Sequence, residues 1–135
     1  MKHLRKFENF NDKKSILETI LTEVKDILTG LEDFDIDFEL MIGHYHKMTR
    51  GKSWKDTDKS VLVDSININL KDNKYNFFTF NEHVLPTIKT LLSFVSEYDW
   101  NIDIELIQEN EFYRLDEFVK EFGSEEFHEL GIIIY

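Results

Sequence analysis

Two histidines, His44 and His46, form the pair in this chain that comes nearest to a metal-binding pattern. They follow a predicted strand, where residues two apart point to the same side, so both imidazoles could hold Zn²⁺ or another transition metal. His83 or His128 would have to complete the site, because the chain has no Cys and no HExxH motif. Without a regularly spaced third ligand, we interpret the pair as polar residues at a strand end and predict no metal or other cofactor.

Residues 50–53 have the sequence RGKS, which contains the GKS of a phosphate-binding P-loop. The complete motif requires another glycine five positions before Gly51, and the chain has His46 there. No helical pattern follows Ser53, although a P-loop binds phosphate at a helix N-terminus. The sequence therefore excludes a P-loop.

The segment 44–59 nevertheless has a formal net charge of +3 and contains aromatic residues. Lysine and arginine bind phosphate, and an aromatic ring can stack on a nucleobase, so a phosphate-bearing ligand is one interpretation of this predicted loop. The other interpretation is a solvent-exposed connection between two strands. The candidate ligand-binding residues are Lys47, Arg50, Lys52, Trp54 and Lys55.

Carboxylates alternate along two predicted strands, at Asp35, Asp37 and Glu39 and again at Asp103 and Glu105. General acid–base catalysis requires a carboxyl group in a cleft that raises its pKa, and alternate positions on an open strand face provide no cleft. The G-x-S-x-G pattern of a nucleophile elbow is absent, and five glycines are too few for Gly-rich cofactor loops. We therefore predict no catalytic residues and no enzymatic activity.

Length and composition restrict the class of protein. The 135 residues suit a single domain, residues 1–135, and a hydrophobic content of 41% is enough for a core. The absence of Cys excludes a disulfide scaffold. With 16 basic and 27 acidic residues, the formal net charge is −11, which argues against direct binding of nucleic acid. No apolar run approaches the ~20 residues that span a bilayer, so we expect a soluble cytoplasmic protein without a membrane partner.

The negative charge is concentrated late in the chain. Residues 97–135 contain twelve acidic residues against Arg114 and Lys120, a net charge of −10, whereas residues 1–96 have a net charge of −1. A rigid display of carboxylates can imitate the phosphates of a nucleic acid and occupy the basic groove of a nucleic-acid-binding protein. The alternative role of such charge is solubility alone. The predicted partner-binding residues are Asp103, Glu105, Glu109, Glu111, Asp116, Glu117, Glu121, Glu125 and Glu126.

Apolar periodicity predicts the elements that would position these residues. A first helix is predicted over residues 16–31, where apolar residues recur at spacings of four and three. A second helix follows Asn81, with Pro86 in its first turn, and a short third helix over residues 115–122 is stopped by Gly123. Alternating apolar and polar residues predict strands near 34–42, 60–70 and 100–108, and the apolar run at 131–135 predicts a central strand.

A 66-residue offset relates two of these segments to two others. It aligns FDIDFELM (34–41) with WNIDIELI (100–107), and SININ with GIIIY. We interpret this as a pseudo-repeat of two αββ units over residues 12–70 and 81–135, separated by a hairpin extension at 71–80. The predicted class is α+β, with a permuted ferredoxin-like arrangement and helices on one face of a mainly antiparallel sheet. Strands 34–42 and 100–108 would then be the edges, and strands 60–70 and 131–135 the centre.

The opening MKHLRKFENF, together with a composition rich in Lys, Asn, Ile, Phe and Asp, resembles small uncharacterised acidic proteins of large tailed bacteriophages. The resemblance implies expression in the cytoplasm of a host cell. It also implies a role as an inhibitor of host defence or of host nucleic-acid enzymes, or as a minor virion component. It assigns no site residues.

These features together predict a non-enzymatic interaction protein whose acidic face binds and inhibits a basic host protein, either one that binds nucleic acid or one that acts in defence. One alternative is a module that binds a nucleotide or phosphate through the loop at 44–59. The other is a minor structural component of the virion.

Overall fold

The computed structural model describes the backbone of residues 10–47, 61–73 and 77–135, and the side chains of these residues from Ile16 onward. The first part of the chain contains α1 (Phe10–Leu28), a 3-10 segment (Thr29–Phe34), β1 (Ile36–Lys47), β2 (Val61–Asp72) and the short β3 (Phe78–Thr79). A π-helical turn (Phe80–Val84) leads into α2 (Leu85–Val95) and a 3-10 turn (Ser96–Tyr98). The remaining elements are β4 (Ile102–Leu106), β5 (Glu111–Arg114), α3 (Leu115–Phe122), β6 (Glu126–Phe127) and β7 (Glu129–Ile134).

Five strands form one sheet in the order β1-β2-β7-β4-β5, and every neighbouring pair is antiparallel. The short strands β3 and β6 form a separate two-stranded sheet. The predicted α+β class with a mainly antiparallel sheet is therefore confirmed. The permuted ferredoxin-like arrangement stays a prediction.

Two predicted features of the strand order are wrong. The strand near 100–108 is not an edge, because β5 pairs with its outer side, with Tyr113 opposite Ile104. Strand β3, which the sequence predicts to close a hairpin on β2, does not pair with it, because β2 is paired on its two sides with β1 and β7. The short β3 pairs with β6 instead, with Phe78 opposite Phe127.

The main core lies between one face of the sheet and the helices. Residues two apart on a strand share a face, so the apolar alternation of β2 places one row of its side chains inside, next to the continuously buried strand β7. Helices α1 and α2 cover this row with side chains spaced by three and four residues. The fully buried members include Ile20, Val24, Leu28, Ile66, Leu70, Ile88, Leu91, Val95, Ile132 and Ile134.

The helices confirm most of the predicted bounds. Helix α2 has Pro86 in its first turn, and α3 covers the predicted residues 115–122. Helix α1 begins at Phe10, earlier than the apolar stripe indicated, and ends at Leu28. Within the described residues, no helix is long and apolar enough to cross a bilayer.

The pairing of the two central strands, β2 and β7, obeys the 66-residue offset. Ile66 pairs with Ile134 and Ile68 with Ile132, and the offset converts the first pair into the second. The outer pairs break this relation, since Ile102 lies opposite Ile134 whereas Ile36 lies opposite Asp72. The two halves therefore differ by four residues in the register of their outer strands, and the pseudo-repeat stays a prediction.

Candidate functional site

A groove opens beside the turn between β4 and β5, next to the end of α3 and strand β6. Its volume is about 280 Å³. Four carboxylates line it, those of Glu109, Glu125, Glu126 and Glu129. Three of these belong to the predicted partner-binding set, so the fold brings together residues that were predicted from charge alone.

Phenylalanine rings supply the apolar part of this acidic groove. Phe77 is 60% exposed, and Phe122 and Phe127 are half-buried. Phe127 is held in place by its pairing with Phe78 and by a ring contact with Phe118, whose centroid is 5.6 Å away. The groove therefore offers the exposed ring of Phe77 and the half-buried rings of Phe122 and Phe127 beside its negative charges.

Two tight turns position the carboxylates. In the β4–β5 turn, the backbone N–H of Glu109 donates to the carbonyl of Leu106 at 3.2 Å. Asn110 follows with φ 54°, a left-handed conformation that asparagine tolerates better than most residues. After α3, the N–H of Glu125 donates to the carbonyl of Phe122 at 3.0 Å. Both turns leave their glutamate side chains exposed.

Tyr113 marks the extension of this negative charge along β5. Its hydroxyl donates a 2.7 Å hydrogen bond to Oε2 of Glu111. That hydrogen bond, with the nearby charges of Glu111, Glu121 and Glu109, raises the pKa of Tyr113 to about 12. The hydrogen bond and burial of the hydroxyl are the larger causes of this shift, and the charges of the three glutamates add to them.

We define the acidic surface as six residues: Glu109, Glu111, Glu121, Glu125, Glu126 and Glu129. In the part of the chain that the structure describes, no lysine or arginine nitrogen lies within 4.0 Å of any of these carboxylates. Among the described residues, this charge is therefore not neutralised by ion pairs with lysine or arginine and is available to a partner.

Two other predicted partner-binding residues lie on the sheet. Asp103 is only 5% exposed and does not lie in the acidic groove. Glu105 is half-buried, and burial together with the charge of Glu129 raises the pKa of its carboxyl group. The positions of acidic residues in the sequence do not show which of them are buried. Burial of these two acids depends on strand pairing, which decides the face of the sheet on which they lie.

The remaining two predicted residues, Asp116 and Glu117, stand at the start of α3. Glu117 accepts a 3.2 Å hydrogen bond from the backbone N–H of Arg114, which satisfies a free donor at the helix start. Oδ1 of Asp116 lies 3.9 Å from Nε of Arg114. We assign these acids to the helix terminus and not to the acidic surface.

The histidine pair lies within β1 and not beyond its end. His44 and His46 are exposed, and Nδ1 of His44 lies 3.3 Å from Oδ1 of Asp64 on the neighbouring strand. Among the described residues, no group of three or more His, Asp or Glu side chains is arranged to hold a metal ion.

The predicted ligand-binding loop is described only at its beginning. Lys47 is the last residue of β1, and it lines a cleft with residues of α2 and α3 that sequence reasoning did not connect with it. Arg50, Lys52, Trp54 and Lys55 lie outside the described residues.

Comparison of the chain with protein-family models, with curated proteins and with solved structures found no match.

Proposed function

We propose that this protein is a non-enzymatic interaction protein whose acidic surface binds a basic, nucleic-acid-binding protein and blocks the surface that contacts nucleic acid. The observation that supports this most is the acidic groove, where Glu109, Glu125 and Glu126 surround the exposed ring of Phe77. Carboxylates provide attraction to lysine and arginine, and the ring provides an apolar anchor that plain solubilising charge would not need.

The distribution of positive charge also supports this proposal. Arg114 and Lys120 are the two basic residues among positions 97–135, and both line the cleft that contains Lys47, not the acidic groove. No described lysine or arginine lines the acidic groove, although Lys71 lies opposite Glu129 in the pairing of β2 with β7, so a basic partner would meet mainly carboxylates there. Such a complex forms quickly and weakens with salt, because its association is electrostatic.

The test compares two variants with equal changes of charge. The first carries Glu109→Lys, Glu111→Lys, Glu125→Lys and Glu126→Lys. The matched control carries Glu18→Lys, Glu23→Lys, Glu32→Lys and Glu97→Lys, four glutamates that are also exposed but lie on α1 and on the two 3-10 segments. Each protein is immobilised and exposed to nuclease-treated bacterial lysate at low and high salt. The lysate is bacterial because the first ten residues of the chain resemble those of bacteriophage proteins.

We expect wild type and the control variant to retain the same basic protein from the lysate. The first variant, with four glutamates of the acidic surface replaced by lysine, should not retain it. Added duplex DNA should release this protein, because DNA and the acidic surface compete for one basic site. Between 50 and 200 mM salt, affinity of the purified partner should fall at least ~10-fold if several ionic contacts form. Equal retention by both variants, or a partner that DNA does not displace, would contradict the proposal.

A further inference from the structure

We propose that a second site, on the side of α3 that bears Val119 and Lys120, binds an organic anion with an aliphatic body. The site is a cleft of about 670 Å³ between α2, α3 and the start of β4. This volume lies within the range of about 300–1,000 Å³ that is usual for small-molecule pockets. The inference goes beyond the proposed function, since it concerns a different surface and a ligand of opposite charge.

Positive charge in the described part of the protein is concentrated at this cleft. The structure describes six lysine and arginine side chains, and four of them line the cleft. They come from four elements: Lys47 ends β1, Lys89 lies in α2, Arg114 ends β5, and Lys120 lies in α3. Against them stand Asp103 and Asp116, which leaves a formal charge of +2 in a protein of formal charge −11.

The three lysines are not occupied by internal ion pairs. Among the described residues, no carboxylate oxygen lies within 4.0 Å of the ammonium groups of Lys47, Lys89 or Lys120. Four like charges around one cleft repel each other, and the chain contains many acids that could have neutralised them. This arrangement is expected when an anionic ligand supplies the counter-charge.

The two acids of the cleft already have partners. Oδ2 of Asp103 accepts a 2.7 Å hydrogen bond from Tyr45, and Oδ1 accepts a 3.0 Å bond from Tyr135. Asp116 lies 3.9 Å from Arg114, a distance at which the ion pair is weak. The cations that face an incoming anion are therefore chiefly the three lysines.

The walls of the cleft identify the rest of the ligand. Among the described residues, the lining includes five aliphatic side chains and one aromatic ring, that of Tyr135. A nucleobase usually requires aromatic stacking, whereas an alkyl chain gains affinity from aliphatic contact, about 0.8 kcal/mol for each buried CH₂ group. The aliphatic lining residues are Leu85, Leu92, Ile102, Leu115 and Val119.

The probes separate the head group from the body. Calorimetric titrations would use octyl phosphate below its micelle concentration, inorganic phosphate, octanol and AMP. We expect octyl phosphate to bind at least ~10-fold more tightly than each of the other three, because it alone satisfies both the cations and the aliphatic walls. If octyl phosphate did not bind detectably, the proposal of an anion-binding cleft would be wrong. If AMP bound more tightly than octyl phosphate, the proposal of a ligand with an aliphatic body would be wrong.

A matched pair of variants locates the binding. Lys89→Gln with Lys120→Gln should weaken octyl phosphate binding about tenfold, since each charge contributes to holding the anion. Lys25→Gln with Lys71→Gln changes the two remaining described lysines, both exposed and outside the cleft, and should leave the affinity unchanged. Equal effects of the two pairs would overturn the inference. Circular dichroism of both proteins verifies that they are folded, and neither pair alters the acidic surface, so this outcome is independent of the proposed partner.

Discussion

The hydroxyl of Tyr45 donates a 2.7 Å hydrogen bond to Oδ2 of Asp103, joining edge strand β1 to β4 across 58 residues of sequence. Tyr135 donates to the other carboxylate oxygen at 3.0 Å. The rings of Tyr45 and Tyr135 are themselves in contact, with centroids 5.0 Å apart. This arrangement allows a carboxylate to be buried, because each of its oxygens has a hydrogen-bond donor.

The first prediction concerns this hydrogen bond. Tyr45→Phe keeps the ring contact but removes one donor from the buried Asp103. We expect the free energy of unfolding to fall by about 1–3 kcal/mol, because the substitution leaves a buried carboxylate oxygen without this hydrogen-bond donor. Urea-induced unfolding at neutral pH measures this change.

The control for this variant is Tyr113→Phe, which removes an equally short hydrogen bond from the exposed Glu111. Water can replace the lost donor there, so we expect a smaller loss of stability than for Tyr45→Phe. If Tyr45→Phe were no more destabilising than Tyr113→Phe, the Tyr45–Asp103 bond would have no special role in stability.

The second prediction concerns the titration of Tyr113. Its pKa of about 12, against the ordinary value of 10.0, means that the folded protein resists loss of this proton. This contribution to stability is therefore complete below pH 10 and is lost as the pH rises toward 12. Near-ultraviolet absorbance of the phenolate, compared between wild type and Tyr113→Phe, isolates this group from the other four tyrosines.

In the same titration, Glu111→Gln should move the pKa of Tyr113 back toward 10, because it removes the acceptor of the hydrogen bond and a negative charge. Glu97→Gln, an exposed glutamate outside the acidic surface, should leave it in place. If Tyr113 titrated near 10 in wild type, the raised pKa and the effect of its hydrogen bond to Glu111 would be contradicted.

The third prediction concerns Glu105, whose pKa is raised above 4.5 by burial and by Glu129. Ionisation of this group opposes folding, so wild type loses some stability as the pH rises from 4.5 through the folded-state pKa. Glu105→Gln should therefore be more stable than wild type at pH 7, by up to about 1 kcal/mol after solvent screening. The difference in free energy of unfolding between Glu105→Gln and wild type should vanish below pH 4.5. If the variant were still more stable there, its stability would come from packing and not from the missing charge.

The fourth prediction concerns Gly123, which follows α3. Its φ is −58°, so a left-handed conformation is not the reason for glycine here. A Cβ atom would lie 2.5 Å from the carbonyl oxygen of Val119 and 2.5 Å from Oδ1 of Asn81. Since the Val119 oxygen belongs to the backbone and cannot rotate away, Gly123→Ala should cost about 1–3 kcal/mol in urea unfolding.

Gly30→Ala is the matched control for this substitution. A Cβ at Gly30 would meet no atom within 4 Å, so alanine should be neutral or stabilise the protein by up to about 1 kcal/mol through the unfolded state. Similar losses for both alanine variants would contradict the steric explanation at Gly123.

Sequence reasoning predicted the elements with strong periodicity and failed where structure depends on distant pairing. The alternation of β2, the apolar run of β7 and the bounds of α3 follow from residues within a few positions of each other. Strand β5 was missed because its four residues, EFYR, are too few to give a pattern. The partner of β3 was wrong because the pairing of Phe78 with Phe127 spans about fifty residues.

The candidate functional residues also divide into those that the sequence predicted and those that only the tertiary structure revealed. The count and position of acids along the chain determined that a strongly negative surface exists, and three residues of the acidic groove belong to the set predicted from it. Only the tertiary structure decided that Asp103 is buried against two tyrosines and that Lys47, Lys89 and Lys120 share one cleft. The physical reason is that periodicity and charge density are properties of neighbours in sequence. Burial and the meeting of side chains depend instead on which strands pair and on which face of the sheet a residue falls.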